Sequence, residues 1–283
     1  MPNPLCIYHG RCIDGFTSAW VIHRALGGAV DLYEGHHGDA PPDVTGRDVI
    51  IVDFSYPRAS LVAMEQEAAS LLVLDHHKTA LAALDGLPFC VFDMERSGAG
   101  LAWDQFMDSG QRHTMPPEPP PKTLRHWLVD YVEDRDLWRF ALPDSKAVNA
   151  LVSAWPMTLD EWTRLSALPL ADAVKMGEVA LMKVDRYVSD VARLAYRATL
   201  DGLGECTVVN AHFHHCSELV GHLAENDPGG VAVGWWRKET GEYQFSLRSR
   251  GDVDVSAVAV VFGGGGHRNA AGFVLPELPD SFR

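Results

Sequence analysis

The stretch LLVLDHHKTA, Leu71–Ala80, sets a carboxylate and two adjacent imidazoles directly behind a short apolar run. Continuous Leu and Val content over so few residues predicts a strand buried on both faces, as in a parallel sheet. The pattern recurs upstream. RDVIIVDFS, Arg47–Ser55, reads as a second buried strand ending on Asp53, followed by the helical RASLVAMEQEAAS. LCIYHG, Leu5–Gly10, leads into DGFTSAWVIHRALGG, where Phe16, Trp20, Val21 and Leu26 fall near helical spacing and a glycine pair closes the helix. Strands alternating with helices predict an α/β fold built on a parallel sheet. Ligands of such sheets gather outside the carboxyl ends of the strands, where Asp53, Asp75, His76 and His77 all fall.

The 283 residues, 47% of them hydrophobic, suffice for one large core or two. A net charge of -14 argues against a protein that coats duplex nucleic acid, because such binding rests on phosphate neutralisation by Lys and Arg. The five cysteines (Cys6, Cys12, Cys90, Cys206 and Cys216) are odd in number and contain no CxxC pair. Neither a disulfide framework nor a zinc ribbon is expected, and reduced thiols in a cytoplasmic protein fit best. The N-terminal MPNPLCIYHG lacks the basic and long apolar segments of a signal peptide, and no run reaches the roughly 18 apolar residues of a membrane span.

Downstream, SGAGLAWDQFM reads as a helix, and five prolines in the six positions 116–121 read as a stiff surface loop within the first domain. Helical sequence resumes at TLRHWLVDYVEDRDLWRF and again from about Met157 to Leu200, a stretch long enough to bridge two lobes. Beyond Asp201 come the strand-like CTVVNA, GVAVGWWRK and GEYQFSLRSR, a short helix VSAVAVVF, and GGGGHRNAAGF. The expected organisation is a metal-binding catalytic domain over residues 1–156, a helical connector over 157–200, and a smaller α/β domain with a mixed sheet over 201–283.

Phosphoester hydrolysis is slow without charge neutralisation, which a pair of divalent ions about 3.5–4 Å apart can supply while activating water. Such a pair needs several carboxylates and imidazoles. The candidates are His9 and Asp14 in YHGRCIDG, Asp53, Asp75 and His76, and Asp134 in YVEDRDLW. Mixed oxygen and imidazole donors favour Mn²⁺, with Mg²⁺ as the second choice. A structural reading stands beside each: Asp14 as a helix cap, Asp53 at its strand end as the cap of the helix after SYP, and Asp134–Asp136 as a solvated charge run, to which Asp136 is assigned. His36, His37, His212, His214 and His215 are assigned to surface or structural roles, and Trp235 and Trp236 to the core and rim of the second sheet.

Taken together, LDHHKTA and GGGGHRNAAGF, with YHGRCIDG, VDFS and VEDRDLW in order, resemble the motifs of the DHH phosphoesterase superfamily with its associated C-terminal domain, across residues 5 to 275. The resemblance implies a two-lobed α/β architecture with its site in the intervening cleft. It implies metal ligation by His9, Asp14, Asp53, His76 and Asp134, with Asp53 bridging two Mn²⁺ ions. Asp75 would then orient a neighbouring imidazole and His77 would contact the scissile phosphate. In the second domain Gly263, Gly264, Gly265, Gly266, His267 and Arg268 would clamp substrate, with Arg248 and Arg250 assisting. Bare backbone N–H groups of a glycine loop suit an anion on general grounds as well.

The first motif departs from the usual pattern, since Cys12 stands where most relatives carry a second aspartate. Its thiol could ligate a metal, leave the place to water, or pack. The expected activity is metal-dependent hydrolysis of a small phosphorylated substrate or short single-stranded oligonucleotide, with no membrane partner and a homodimer compatible with the chain. The alternatives are hydrolysis of pyrophosphate or short polyphosphate, and nucleotide or nucleic-acid binding without catalysis.

Overall fold

A computed structural model describes residues 2–108 and 125–282, in two compact units, Met1–Leu181 and Met182–Arg283. The proline run at 116–121 lies outside the described residues.

The first unit begins with β1 (Leu5–His9), α1 (Ile13–Ala25), β2 (Asp31–Gly35), β3 (Asp48–Val52), α2 (Arg58–Glu67), β4 (Ser70–Asp75), α3 (Lys78–Leu84) and β5 (Cys90–Phe92). The five strands are all parallel, in the order β2-β1-β3-β4-β5. Alternation along β3 shows why the run is apolar throughout: Ile50 and Val52 face one helical layer while Val49 and Ile51 face the other. The first layer holds α1, α4 (Gly98–Trp103, extended by a π-helical turn over Asp104–Asp108), α5 (Trp127–Asp136), α6 (Ser145–Ala154) and α7 (Leu159–Ser166). Leu61, Met64 and Leu84, from α2 and α3, pack on the opposite face. Strand order reverses at β1, so the crevice between the carboxyl ends of β1 and β3 is where a ligand is expected. His9 closes one of those strands and Asp53 directly follows the other.

Helix α8 (Leu170–Ala192) runs through the division between the units at Leu181 and Met182. The 157–200 stretch expected as a connector is therefore no separate body. Trp162, Leu165 and Ala173 belong to the first unit's core, whereas Tyr187, Val188 and Val191 pack in the second. The helical pattern also ends earlier than expected. Tyr196–Leu200 is a strand, β6, because the glycine-containing turn after it, with Gly202 and Gly204 at positive φ, folds it antiparallel onto β7 (Gly204–Asn210).

The second unit continues through a 3₁₀ turn (Phe213–His215), α9 (Cys216–Asn226), β8 (Val231–Arg237), β9 (Tyr243–Ser249), α10 (Val255–Val261), β10 (Gly265–His267) and β11 (Ala270–Leu275). Its sheet, ordered β10-β11-β9-β8-β7-β6, is mixed: β7 and β8 pair in parallel and the other neighbours antiparallel. Trp235 and Trp236 are both half-buried on opposite faces of β8.

Candidate metal centre

Four chain segments bring together the predicted ligands of the first unit other than Asp134. His9 ends β1, Asp14 sits in the first turn of α1, Asp53 follows β3, and Asp75, His76 and His77 end β4. Asp53 is held at φ 55°, a left-handed conformation that costs a non-glycine residue free energy and accompanies functional geometry. Gly98 must approach it closely, because a Cβ there would fall 2.4 Å from Asp53 Cβ and 2.9 Å from Asp14 Oδ2.

His76 is the hub. Its Nε2 lies 3.0 Å from Asp53 Oδ1, 3.5 Å from Asp136 Oδ2 and 3.8 Å from Asp14 Oδ2. His9 Nδ1 lies 3.4 Å from the other oxygen, Asp53 Oδ2. Asp53 is thus shared between two groups of donors: Asp14, Asp53 and His76 offer ligand atoms within 4.8 Å of one another, and so do His9, Asp53 and His77. His9 Nδ1, Asp53 Oδ2 and Asp136 Oδ2 are buried and make no hydrogen bond.

Electrostatics sharpen the picture. Burial, then repulsion from Asp53 and Asp136, raises the Asp14 carboxyl well above the usual range, although Gly98 N and Ala99 N donate to it at 2.6 and 3.1 Å. Burial likewise raises Asp136. Burial opposes charge on His76, but its hydrogen bond to Asp53 and the fields of Asp136, Asp53 and Asp14 outweigh this and push its pKa up to about 10. Burial opposes the charge of Asp53 too, yet the hydrogen bond to His76 and the nearby His9 imidazole hold that carboxyl well below the ordinary value. Three carboxylates around one imidazolium carry excess negative charge in a buried place. A divalent cation relieves that excess, and the unpaired buried oxygens and nitrogen are donors of the kind it takes. The donor set therefore fits the metal ions expected from the sequence.

Asp75 supports this cluster. Its Oδ1 accepts from the backbone N–H groups of His76 and His77 at 2.7 and 3.2 Å and lies 2.7 Å from His77 Nδ1, while Ser55 Oγ donates to Oδ2. Binding through Nδ1 fixes the ring and turns Nε2 away from Asp75, toward the side on which His9 packs at 6.0 Å between ring centroids.

Each acid of VEDRD has a different task. Glu133 accepts from Ser97 N and from the guanidinium groups of Arg96 and Arg125, which fixes the start of α4. Asp134 accepts from Ala141 N and Leu142 N at 2.9 and 3.3 Å, pinning the loop that passes through the left-handed residues Trp138 and Phe140. It is Asp136 that meets His76. The solvated role expected for Asp136 is overturned by its position, and the helical period held the signal, since Asp136 continues the buried Val129–Val132 face of α5. His37, expected in a surface or structural role, is exposed, and its ring stands beside the same cluster, 5.4 Å from the His9 ring and 4.9 Å from Phe54 by centroids. Crowding by the neighbouring side chains, reinforced by His9 and His77, lowers its pKa.

Cys12 immediately precedes α1. Burial and the fields of Asp53, Asp136 and Asp14 raise its thiol well above the ordinary value, so in the metal-free cluster it is a neutral neighbour and no fourth anion.

In the second unit the glycine run is demanded by backbone geometry. Gly263 and Gly266 have φ of 77° and 136°, and a Cβ on Gly264 would fall 2.1 Å from Gly272 O. Gly265, Gly266 and His267 form β10. Arg268 donates through Nη2 to Asp252 O and Oδ1 at 2.8 and 3.2 Å, and Arg248 donates through Nη2 to Ser217 Oγ at 2.7 Å.

Residues 206–282 match the DHHA1 domain family. The fold of the chain resembles that of the DHH domain of a member of the s1p family of ribosomal proteins, with a TM-score of 0.57 at 12% identity over 97% of this chain and 83% of that one. Those residues of the second unit therefore carry a DHHA1 domain, and the whole chain has a fold similar to that of a DHH domain. An uncharacterised protein of Acanthamoeba polyphaga mimivirus is 27% identical over 96% of this chain and 67% of its own length. RecJ of Thermus thermophilus, in complex with Mn²⁺, aligns with a TM-score of 0.49 at 13% identity, over 97% of this chain and 50% of that one. The aspartate and paired histidines on which the sequence resemblance turns, Asp75, His76 and His77, stand at and directly after the end of β4.

Proposed function

We propose that this protein hydrolyses a phosphoester bond in a small nucleotide or short oligonucleotide with the help of two divalent ions, Mn²⁺ by preference. The observation that carries the reading is Asp53, whose two oxygens serve separate donor groups, His76 with Asp14 and Asp136 on one side and His9 with His77 on the other. Such a shared carboxylate suits a pair of ions. Asp14, Asp53, His76 and Asp136 would hold one ion, and His9 with Asp53 the other; Asp136 takes the place expected for Asp134. When bound, the ions would neutralise phosphate charge and lower the pKa of water for attack on phosphorus.

The chain's own side chains supply the rest. Asp75 holds the proton of His77 on Nδ1 and aims the ring, so that His77 can donate to a non-bridging phosphate oxygen. In the second unit His267, at the end of the glycine strand, and Arg248, on β9, are proposed to bind the phosphorylated substrate. The net charge of -14 favours a short substrate over a long polyanion.

A test strips the full chain with EDTA, reloads it with Mn²⁺, and assays metal content together with a panel of dinucleotides, nucleotide 3′-phosphates, bis(p-nitrophenyl) phosphate and pyrophosphate. Two ions per chain and cleavage of the esters are expected. Bound Mn²⁺ with every ester intact would sink the enzymatic reading, and cleavage of pyrophosphate alone would replace it with phosphoanhydride hydrolysis.

A further inference from the structure

The HFHH run, His212–His215, belongs to the second unit and takes no part in the metal centre. Its backbone is fixed on both sides. Ala211 N and Asn210 Nδ2 each donate to Trp235 O at 3.0 Å, His212 N donates to Tyr187 OH at 3.2 Å, and the Tyr187 ring packs 5.3 Å from that of His215. Residues 213–215 form the 3₁₀ turn that runs directly into α9. On this anchored turn Phe213 is 52% exposed.

A lone exposed aromatic is ordinary. Here two imidazoles flank it: the His212 and His214 rings lie 4.5 and 4.1 Å from the Phe213 centroid, each tilted by 32°, and they stack on each other at 5.0 Å and 23°. The result is a cluster of three exposed rings, two of them stacked and the third tilted against both, on a fixed turn. A cation lies close by. Ser217, in the first turn of α9 directly after the 3₁₀ turn, accepts from Arg248 Nη2 at 2.7 Å. Lys183 is near enough to His215 to act on its charge. Ring faces on the turn that leads into the helix whose first turn holds a guanidinium match a ligand that joins an aromatic ring to a phosphate.

We propose that His212, Phe213 and His214 form a stacking platform for a nucleobase whose adjacent phosphate is held by Arg248. The platform rests on the reading of the substrate as a nucleotide and adds where its base is read. Stacking tolerates any base, since each has a π face, and purines, with the larger face, bind more tightly.

Binding of 5′-AMP and of ribose 5-phosphate to the full chain in EDTA, where nothing is turned over, tests the platform by calorimetry and by the imidazole proton resonances of the histidines. AMP is expected to bind more tightly than ribose 5-phosphate and to shift the His212 and His214 signals upfield. Phe213→Ala is expected to weaken AMP by about tenfold and Phe213→Trp to retain it, with ribose 5-phosphate binding alike to all three. Equal affinity for the two ligands, no AMP binding, or unchanged AMP affinity in Phe213→Ala would overturn the platform. A chain that binds AMP in this way yet cleaves no ester with Mn²⁺ overturns only the hydrolytic reading, and a chain that cleaves esters while blind to the base overturns only the platform.

Discussion

His76 Nε2 lies 3.0 Å from Asp53 Oδ1, and both side chains are almost wholly buried. The contact joins the ends of β3 and β4, two neighbouring strands, and every other group of the cluster is arranged around it. In the metal-free chain the imidazole proton serves as the counter-charge, which is why burial fails to neutralise His76.

Asp53→Asn is expected to remove the charge, and one of the two oxygens, by which this residue joins the donor groups. Mn²⁺ content should fall below one ion per chain and ester hydrolysis by at least about 100-fold, the upper range seen when mere supporting partners of a metal are lost. A second readout is thermal. Mn²⁺ at about 100 times its Kd should stabilise the native chain by about 2.7 kcal/mol, and Asp53→Asn should melt at the same temperature with and without it. Full retention of Mn²⁺ by the variant would rule out Asp53 as the shared ligand.

The second unit supplies a pH prediction. Burial would raise the Asp227 carboxyl, but hydrogen bonds from Thr207 Oγ1, Gly229 N, Val231 N and Arg197 outweigh it and lower the pKa. A carboxyl whose folded pKa is depressed contributes stability that is complete above its unfolded value, about 3.9, and is lost as pH falls through the lower folded value. Asp227→Asn should therefore melt several degrees lower than the native chain at pH 7, with the two melting temperatures converging below about pH 4. Thermal melts across that range check it, and parallel curves would refute the assignment.

Asp75 never reaches the shared carboxylate in the way His76 does; it acts through His77. Asp75→Asn keeps an oxygen for one backbone N–H but loses the charge that holds the His77 proton on Nδ1. Activity is expected to fall about 10–100-fold. Because the effect passes through orientation, the imidazole signals of His77 in the metal-free chain should change along with the rate, whereas a purely structural role would leave them fixed.

The buried strands around LLVLDHH, and the polar ends they carry, were legible because a parallel sheet covered on both faces requires continuous apolar runs. Strand β6 was not, since Tyr196–Leu200 lies in a register of Ala, Leu and Val that continues the helical pattern of α8, and only its pairing with β7 across the Gly202 turn decides for strand. Asp134 and Asp136 were harder still. Two residues apart on one helix, they point about 200° away from each other, and sequence alone does not say which side the site lies on. Both carry a satisfactory structural reading, and only the position of Ala141 and Leu142 shows which of them is occupied by the backbone.

These two aspartates give the sharpest discrimination. Asp134 accepts two backbone N–H groups of the following loop, so Asp134→Asn should cost about 1–3 kcal/mol of stability while leaving Mn²⁺ stoichiometry near that of the native chain. Asp136 places a buried oxygen 3.5 Å from His76 Nε2 with no hydrogen bond to hold it, so removing its charge relieves repulsion in the empty cluster. Asp136→Asn should accordingly leave the metal-free chain as stable as the native one or more so, and weaken Mn²⁺ binding by at least about tenfold. Calorimetric titration of Mn²⁺ into both variants, paired with melts in EDTA, separates the two roles. If Asp134→Asn loses the metal and Asp136→Asn keeps it, the loop around Ala141 rearranges on binding and the ligand is Asp134 after all.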